Sequence, residues 1–263
     1  MFEFPKVEKP RDFQYKHNFL KSVIFQVKYP FINKVVDNIP LLKDRLGKLF
    51  KNSGEIFKSE VGFKFEEKTP ILQSTKSLTQ GIEFRSDDGY KILAITEDSI
   101  TYTIFGASYS NFENTTKELQ QFFSNILEEL GIKTLNRIAI RKINIIELEI
   151  LQQVKKNDII QAVFNKPLVD SLNFIPSINY LASHISNNIY KKDTYQLNLN
   201  YGLVPNQNET SKWQFLLDID LFSLTSDFVS SDLINEFQNI NDEIFNIFNW
   251  ALLDSVKSSL NQE

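Results

Sequence analysis

The sequence predicts an α+β protein in which one antiparallel sheet is backed by long helices. Three observations predict it. Two-residue alternation recurs along the chain, two helical segments carry continuous apolar stripes, and the order of elements runs twice. Strand, helix, several strands and a long helix occupy residues 1–131. A similar order returns over residues 132–263. Sequential antiparallel strands usually pair with their neighbours, and a sheet with helices on one side keeps its other side open. The expectation is two pseudo-repeats, 1–131 and 132–263, of strand, helix, three or four antiparallel strands and helix. They form one compact unit with a curved sheet.

Each element has its own warrant. Residues 1–15 read as a polar surface arm. Val23, Phe25 and Val27 alternate with Ser22, Ile24 and Gln26, a strand that Pro30 ends. Val35 to Phe50 has helical spacing, with a break or a first turn at Pro40. Phe57, Ser59, Val61, Phe63 and Phe65 form one face of a second strand. Lys68 to Thr79, holding Pro70, reads as a loop. Ile82 and Phe84 lie on a third strand, Ser86-Asp87-Asp88-Gly89 is a tight turn, and Tyr90–Ile95 and Ile100–Ile104 return. Thr115-Thr116-Lys117-Glu118 has the form of a capping box. Leu119, Phe122, Phe123, Ile126, Leu127 and Leu130 then make one stripe, which Gly131 closes.

The second half opens on a strand from Leu135 to Ile146. A short helix near Asp158–Phe164, a loop over 165–177 and a strand within Ile178–Tyr190 follow. Tyr195, Leu197, Leu199, Tyr201 and Leu203 make the clearest alternation in the chain. Pro205 to Thr210 is a polar hairpin loop. Trp213, Phe215, Leu217, Ile219 and Leu221 alternate again. Leu233, Phe237, Ile240, Ile244, Ile247 and Phe248 stripe a last helix that reaches Leu260.

Composition excludes several chemistries. The chain has 263 residues, 42% of them hydrophobic and 24% charged, as in a soluble globular protein. It has no cysteine, so disulfides, thiol catalysis, iron–sulfur clusters and Cys-ligated zinc are ruled out. No signal peptide and no membrane span is read from the sequence, and the expected location is the cytoplasm. The formal net charge is −4. Residues 1–131 carry 18 basic and 18 acidic side chains, and residues 132–263 carry 11 and 15. Neither half has the basic excess that phosphate neutralisation usually produces.

The candidate binding residues lie in the second half. Asp218 and Asp220 project from one face of a strand, where two carboxylates and a further oxygen ligand suit Mg²⁺ or Mn²⁺. Asn198 and Asn200, one strand earlier, offer amide carbonyls. Arg137 and Arg141 share a face, about 13 Å apart, a spacing for successive phosphates or for a partner's acidic patch. The competing reading is that these arginines pair with cross-strand carboxylates such as Asp218 and Asp220. Asn144 faces the other way and satisfies buried backbone. His17 and His184 are the only histidines, and neither sits in a catalytic motif. No glycine-rich phosphate loop exists. Phe57, Phe63, Phe84, Phe122 and Phe123 follow core periodicity rather than a base-wedging pattern.

Two resemblances follow from these residues. The element order is similar to that of the TATA-binding-protein saddle. The chain also resembles a family of uncharacterised, sporadically distributed prokaryotic proteins of about 260 residues. The stretches that carry it are Phe84–Gly89, Tyr109–Phe112, Arg137–Asn144, Leu217–Asp220 and the C-terminal helix. Lys142 stands where that family shows an aromatic. The resemblance implies no activity; its patchy occurrence implies an accessory protein linked to defence or to a toxin–antitoxin system. The expected function is therefore non-enzymatic: binding of a protein partner, with no cofactor and no membrane. Two alternatives stay open, nucleic-acid binding on the sheet face and a metal-dependent nuclease or phosphoryl-transfer site at Asp218 and Asp220.

Overall fold

The computed structural model describes residues 1–7, 15–66, 69–147, 163–170, 183–205, 213–224 and 228–260, with only the backbone course for 59–66, 69–76, 184, 213 and 228–230. β1 (Leu20–Lys28) buries Val23, Phe25 and Val27 completely, as its alternation requires. A helical pair follows, α1 (Lys34–Asp37) and α2 (Ile39–Leu46), split at Asn38 with Pro40 in the first turn of α2. That is where proline's missing N–H costs least. Then come β2 (Asn52–Glu66), β3 (Thr69–Arg85), β4 (Lys91–Thr96) and β5 (Ser99–Phe105). Gly89, at φ 73°, makes the turn between β3 and β4.

α3 (Phe112–Leu119) passes through one π-helical turn, Gln120–Ser124, into α4 (Asn125–Glu129). Gly131, at φ 69°, ends this helix. β6 (Thr134–Leu135) and β7 (Arg137–Glu147) open the second half, followed by α5 (Lys166–Asp170). β8 (His184–Lys192), β9 (Tyr195–Pro205), β10 (Trp213–Ser223), β11 (Phe228–Val229), α6 (Leu233–Ala251) and α7 (Asp254–Ser259) complete the described elements.

Nine strands form one sheet in the order β2-β3-β4-β5-β1-β7-β10-β9-β8, and every neighbouring pair is antiparallel. β6 and β11 make a separate small pair. β1 and β7 meet at the centre, with Phe25 opposite Ile140 and Val27 opposite Ile138. All four side chains are buried, so both strands turn the same face inward. α3 and α6 cover that face. The Phe25 ring lies 6.2 Å from Phe112 and 5.6 Å from Phe237, and Phe123 lies 5.3 Å from Phe237. On the β9–β10 flank, Phe164 packs edge-on against Tyr201 and Phe215.

Four local expectations differ from this structure. The span from Lys68 to Thr79 is not a loop: β3 begins at Thr69, and Pro70 is tolerated at the start of a strand. Phe57 is 58% exposed rather than core. The register shifts between Ile56 and Phe57, and β4 pairs with β3 only from Gly81 onward. Beyond that point the β2–β3 hairpin runs past the rest of the sheet, and no described layer covers Phe57. Phe84, Phe122 and Phe123 are buried as expected, while the Phe63 side chain lies outside the description.

The third difference is a cap. α3 begins at Phe112, capped by Asn111, whose side chain accepts from the Asn114 N–H at 2.8 Å. Thr115 is one turn inside and donates back to the Asn111 carbonyl, while Glu118 accepts from Tyr102 and Lys91. Asn is a stronger cap than Thr, so the helix starts at the better residue. Fourth, 165–177 is not wholly loop, because Lys166–Asp170 is helical with Pro167 in its first turn. Most of the Asp158–Phe164 helix and of the Pro205–Thr210 loop lies outside the described residues. Phe164 itself bridges to Leu252.

Phe237→Ala should cost about 3–5 kcal/mol, since the ring is fully buried against two other phenylalanines. Urea denaturation of the variant beside wild type measures it. Phe57→Ala should change stability by less than about 0.5 kcal/mol.

Candidate functional site

The six residues singled out in the sequence converge on the open face of the sheet. Register explains why. Asp220 lies opposite Arg141 on one side and Asn198 on the other, and Asp218 lies opposite Asn200. The side chains lean along the strand from that register, Arg141 by one same-face position and Arg137 by two. Arg141 grips Asp218 with two parallel bonds, Nε to Oδ1 at 2.8 Å and a terminal nitrogen to Oδ2 at 2.7 Å. Arg137 donates to both oxygens of Asp220 at 3.2 Å. The lean gives each carboxylate its own guanidinium.

The asparagines extend both pairs outward. Asn200 donates to Asp218 at 3.0 Å and accepts from Asn187 at 2.6 Å. Asn198 donates to Asp220 at 3.1 Å and accepts from Gln196 at 2.8 Å. The result is a two-rail ladder across β7, β10 and β9, and the Asp218 rail goes on to Asn187 of β8. Arg137 also stacks on Phe222, its guanidinium carbon 3.9 Å from the ring centre. Phe222 sits opposite Ala139, whose small side chain takes little room on this face.

Electrostatics follow from burial. Asp218 is 3% exposed, and its carboxylate oxygens are taken up by Arg141 and Asn200. The Asp218 carboxylate in turn raises the Arg141 pKa above its ordinary value. Burial pushes the Asp220 carboxyl up, and Arg137 pulls against that shift. Among the described residues no three His, Cys, Asp or Glu side chains are grouped to hold one metal ion. Both candidate carboxylates are instead engaged by arginine.

A second site lies on the covered face, and the sequence reading did not assemble it. The core-facing positions of β7 run Ile138, Ile140, Lys142, Asn144, Ile146. Two consecutive inward positions are therefore polar. Asn144 is buried and donates to the Leu217 carbonyl at 3.0 Å, so it completes backbone pairing as expected. Lys142 donates to Asn241 of α6 at 2.7 Å and lies 5.6 Å from the centre of the Tyr109 ring. A cavity of about 480 Å³ opens beside them, lined also by His17, Phe112 and Phe245. Burial pulls the Lys142 ammonium down to about 8, and the charge of Asp242 works in the opposite direction. The break in the Ile alternation was the available signal.

No family model and no curated protein matches the chain. Among the described residues, no helix is long and apolar enough to cross a membrane.

Two outcomes follow. Arg141→Met leaves the buried Asp218 carboxylate with its amide partner alone and should cost about 2–4 kcal/mol, most of it recovered in Arg141→Met/Asp218→Leu. A double-mutant cycle in urea reads the coupling. Lys142 adds a pH signature. Between pH about 8 and about 10.5 the unfolded chain holds this proton and the folded chain does not, so stability rises with pH in that window. Wild type should gain on Lys142→Met as pH rises through it. The adjoining Tyr109 hydroxyl is pushed far up by burial and does not titrate there.

Proposed function

We propose that the protein is a non-enzymatic interaction protein whose β8–β9 end of the open sheet face docks a protein partner. One observation carries this reading: the charged ladder is neutralised within itself and ends against exposed apolar side chains. Ile185 and Ile189 flank Asn187 on the open face and are 51% and 59% exposed. β8 is also the last strand in the sheet order, so no described strand pairs with its outer edge. An extended segment of a partner can add to such an edge through backbone hydrogen bonds, with Ile185 and Ile189 supplying apolar contact.

The ladder chemistry favours protein over nucleic acid. Arg137 and Arg141 are the two arginines of this face that could meet successive phosphates, and each already holds a carboxylate. A phosphate contact would have to displace Asp218 or Asp220. A net charge of −4 offers no compensating attraction.

The same reading treats the chain as two pseudo-repeats. Outward from β1 the strands run β5, β4, β3, β2, and outward from β7 they run β10, β9, β8. Each half thus places its later strands in reverse order beside its first, which supports a duplicated unit. The resemblance to a patchily distributed prokaryotic family suits an accessory role in defence or in a toxin–antitoxin pair, acting in the cytoplasm.

Affinity capture with the tagged chain, expressed with its gene neighbours, tests the proposal. A partner should be recovered by wild type and lost, by about tenfold or more, in Ile185→Asp/Ile189→Asp, which should keep the wild-type melting curve. Retention of nucleic acid at low salt that vanishes in Arg137→Ala/Arg141→Ala, with no protein captured, would contradict it.

A further inference from the structure

The Lys142 cavity lies on the opposite side of the sheet from the proposed docking face, and it has the features of a small-molecule site. Its volume, about 480 Å³, falls within the range of ligand pockets. The floor comes from β7 and β10 through Lys142, Asn144 and Ile219. The walls are aromatic: Tyr109 and Phe112 from the segment entering α3, Phe245 and Phe248 from α6.

Lys142 is the unusual member. A lysine at an inward position of a central strand costs desolvation, and such a charge normally finds a carboxylate. The hydrogen-bond partner of this ammonium among the described residues is the neutral Asn241 side chain. An ammonium has three donors, so donors remain for another acceptor. Asp242 acts on Lys142 at longer range and itself accepts from Gln238. The other titratable groups of the cavity wall are Tyr15, His17, Tyr109 and Glu113.

We infer that this cavity binds a small organic monocarboxylate, with Lys142 as its counter-charge, neutral amides such as Asn241 and Gln238 as hydrogen-bonding groups, and the aromatic walls around its apolar body. A monoanion fits better than a phosphate. The cavity supplies one buried ammonium, and Glu113 on the wall opposes a second negative charge. The apolar body is set by the rings, which offer dispersion contact and no further charge.

Calorimetric titration of the full chain with butyrate, octanoate and 4-phenylbutyrate, each beside its neutral amide, tests this. At least one acid should bind with a Kd below about 1 mM and at least about tenfold more tightly than its amide. Its affinity should fall by about tenfold between pH about 7 and about 9, as the ammonium loses its proton. Lys142→Met should erase the preference for acid over amide, and Lys142→Arg should keep it. Bound acid should also slow reductive methylation of Lys142, mapped by mass spectrometry on wild type. That reading, with the pH profile, decides the matter even if Lys142→Met does not fold. Equal affinity for acid and amide, a flat pH profile, or no saturable binding of any acid would overturn the inference. None of these results depends on a protein partner at Ile185 and Ile189.

Discussion

The antiparallel pairing of β1 with β7 is the contact on which the rest of the structure depends. It joins residues that lie more than a hundred positions apart, from Lys28 against Arg137 to Leu20 against Asn144. Without it there would be two smaller sheets, each with a long exposed edge, a configuration that invites aggregation. With it, the Phe25 and Ile140 side chains become neighbours on one face, and a common helical layer can cover them. The aromatic cluster of Phe25, Phe112, Phe123 and Phe237 draws on β1, α3, the π-helical turn and α6 together. Burial of a ring of this kind contributes about 1.5–3 kcal/mol, so the cluster also holds the two halves in register.

β7 divides two kinds of polarity between two faces. Its outward positions hold Arg137, Ala139 and Arg141, and its inward positions hold Ile138, Ile140, Lys142 and Asn144. A slip of one residue would exchange these sets, burying both guanidiniums under the helices. The burial of the apolar residues favours this register, and the polar residues take their faces with it. The open-face network and the covered-face lysine are thus products of one alignment. They differ in their chemistry. On the open face Arg137 and Arg141 each have a carboxylate, so the network is inward-looking. On the covered face the cation has a neutral amide and an adjacent cavity.

Much of this was legible in the residues, for identifiable reasons. Strand alternation at Val23–Val27, Leu197–Leu203 and Phe215–Leu221 arises because one face packs and the other does not, and period two records that directly. The helix stripe from Leu119 to Leu130 and the turn at Gly89 are equally local. The meeting of Arg137, Arg141, Asp218 and Asp220 could be framed as a pairing because all four share strand faces. Their partners could not be assigned, since the diagonal lean belongs to side-chain geometry across a twisted pair. Phe57 misled because alternation reports which side a residue takes, not whether anything covers that side. The start of α3 misled because two capping candidates, Asn111 and Thr115, lie within one turn. The cavity was hidden for a different reason. Its lining comes from segments between Tyr15 and Leu260, and only the polar break at Lys142 and Asn144 marks it in the sequence.

Native-state hydrogen exchange across a denaturant series tests the central pairing most directly. The amides of β1, β5, β7 and β10 should exchange with one common free energy and one common denaturant dependence, equal to those of global unfolding, because breaking the β1–β7 seam exposes the shared core. Two separate exchange classes, β1 to β5 in one and β7 to β10 in the other, with β1 and β7 opening below the global value, would contradict it.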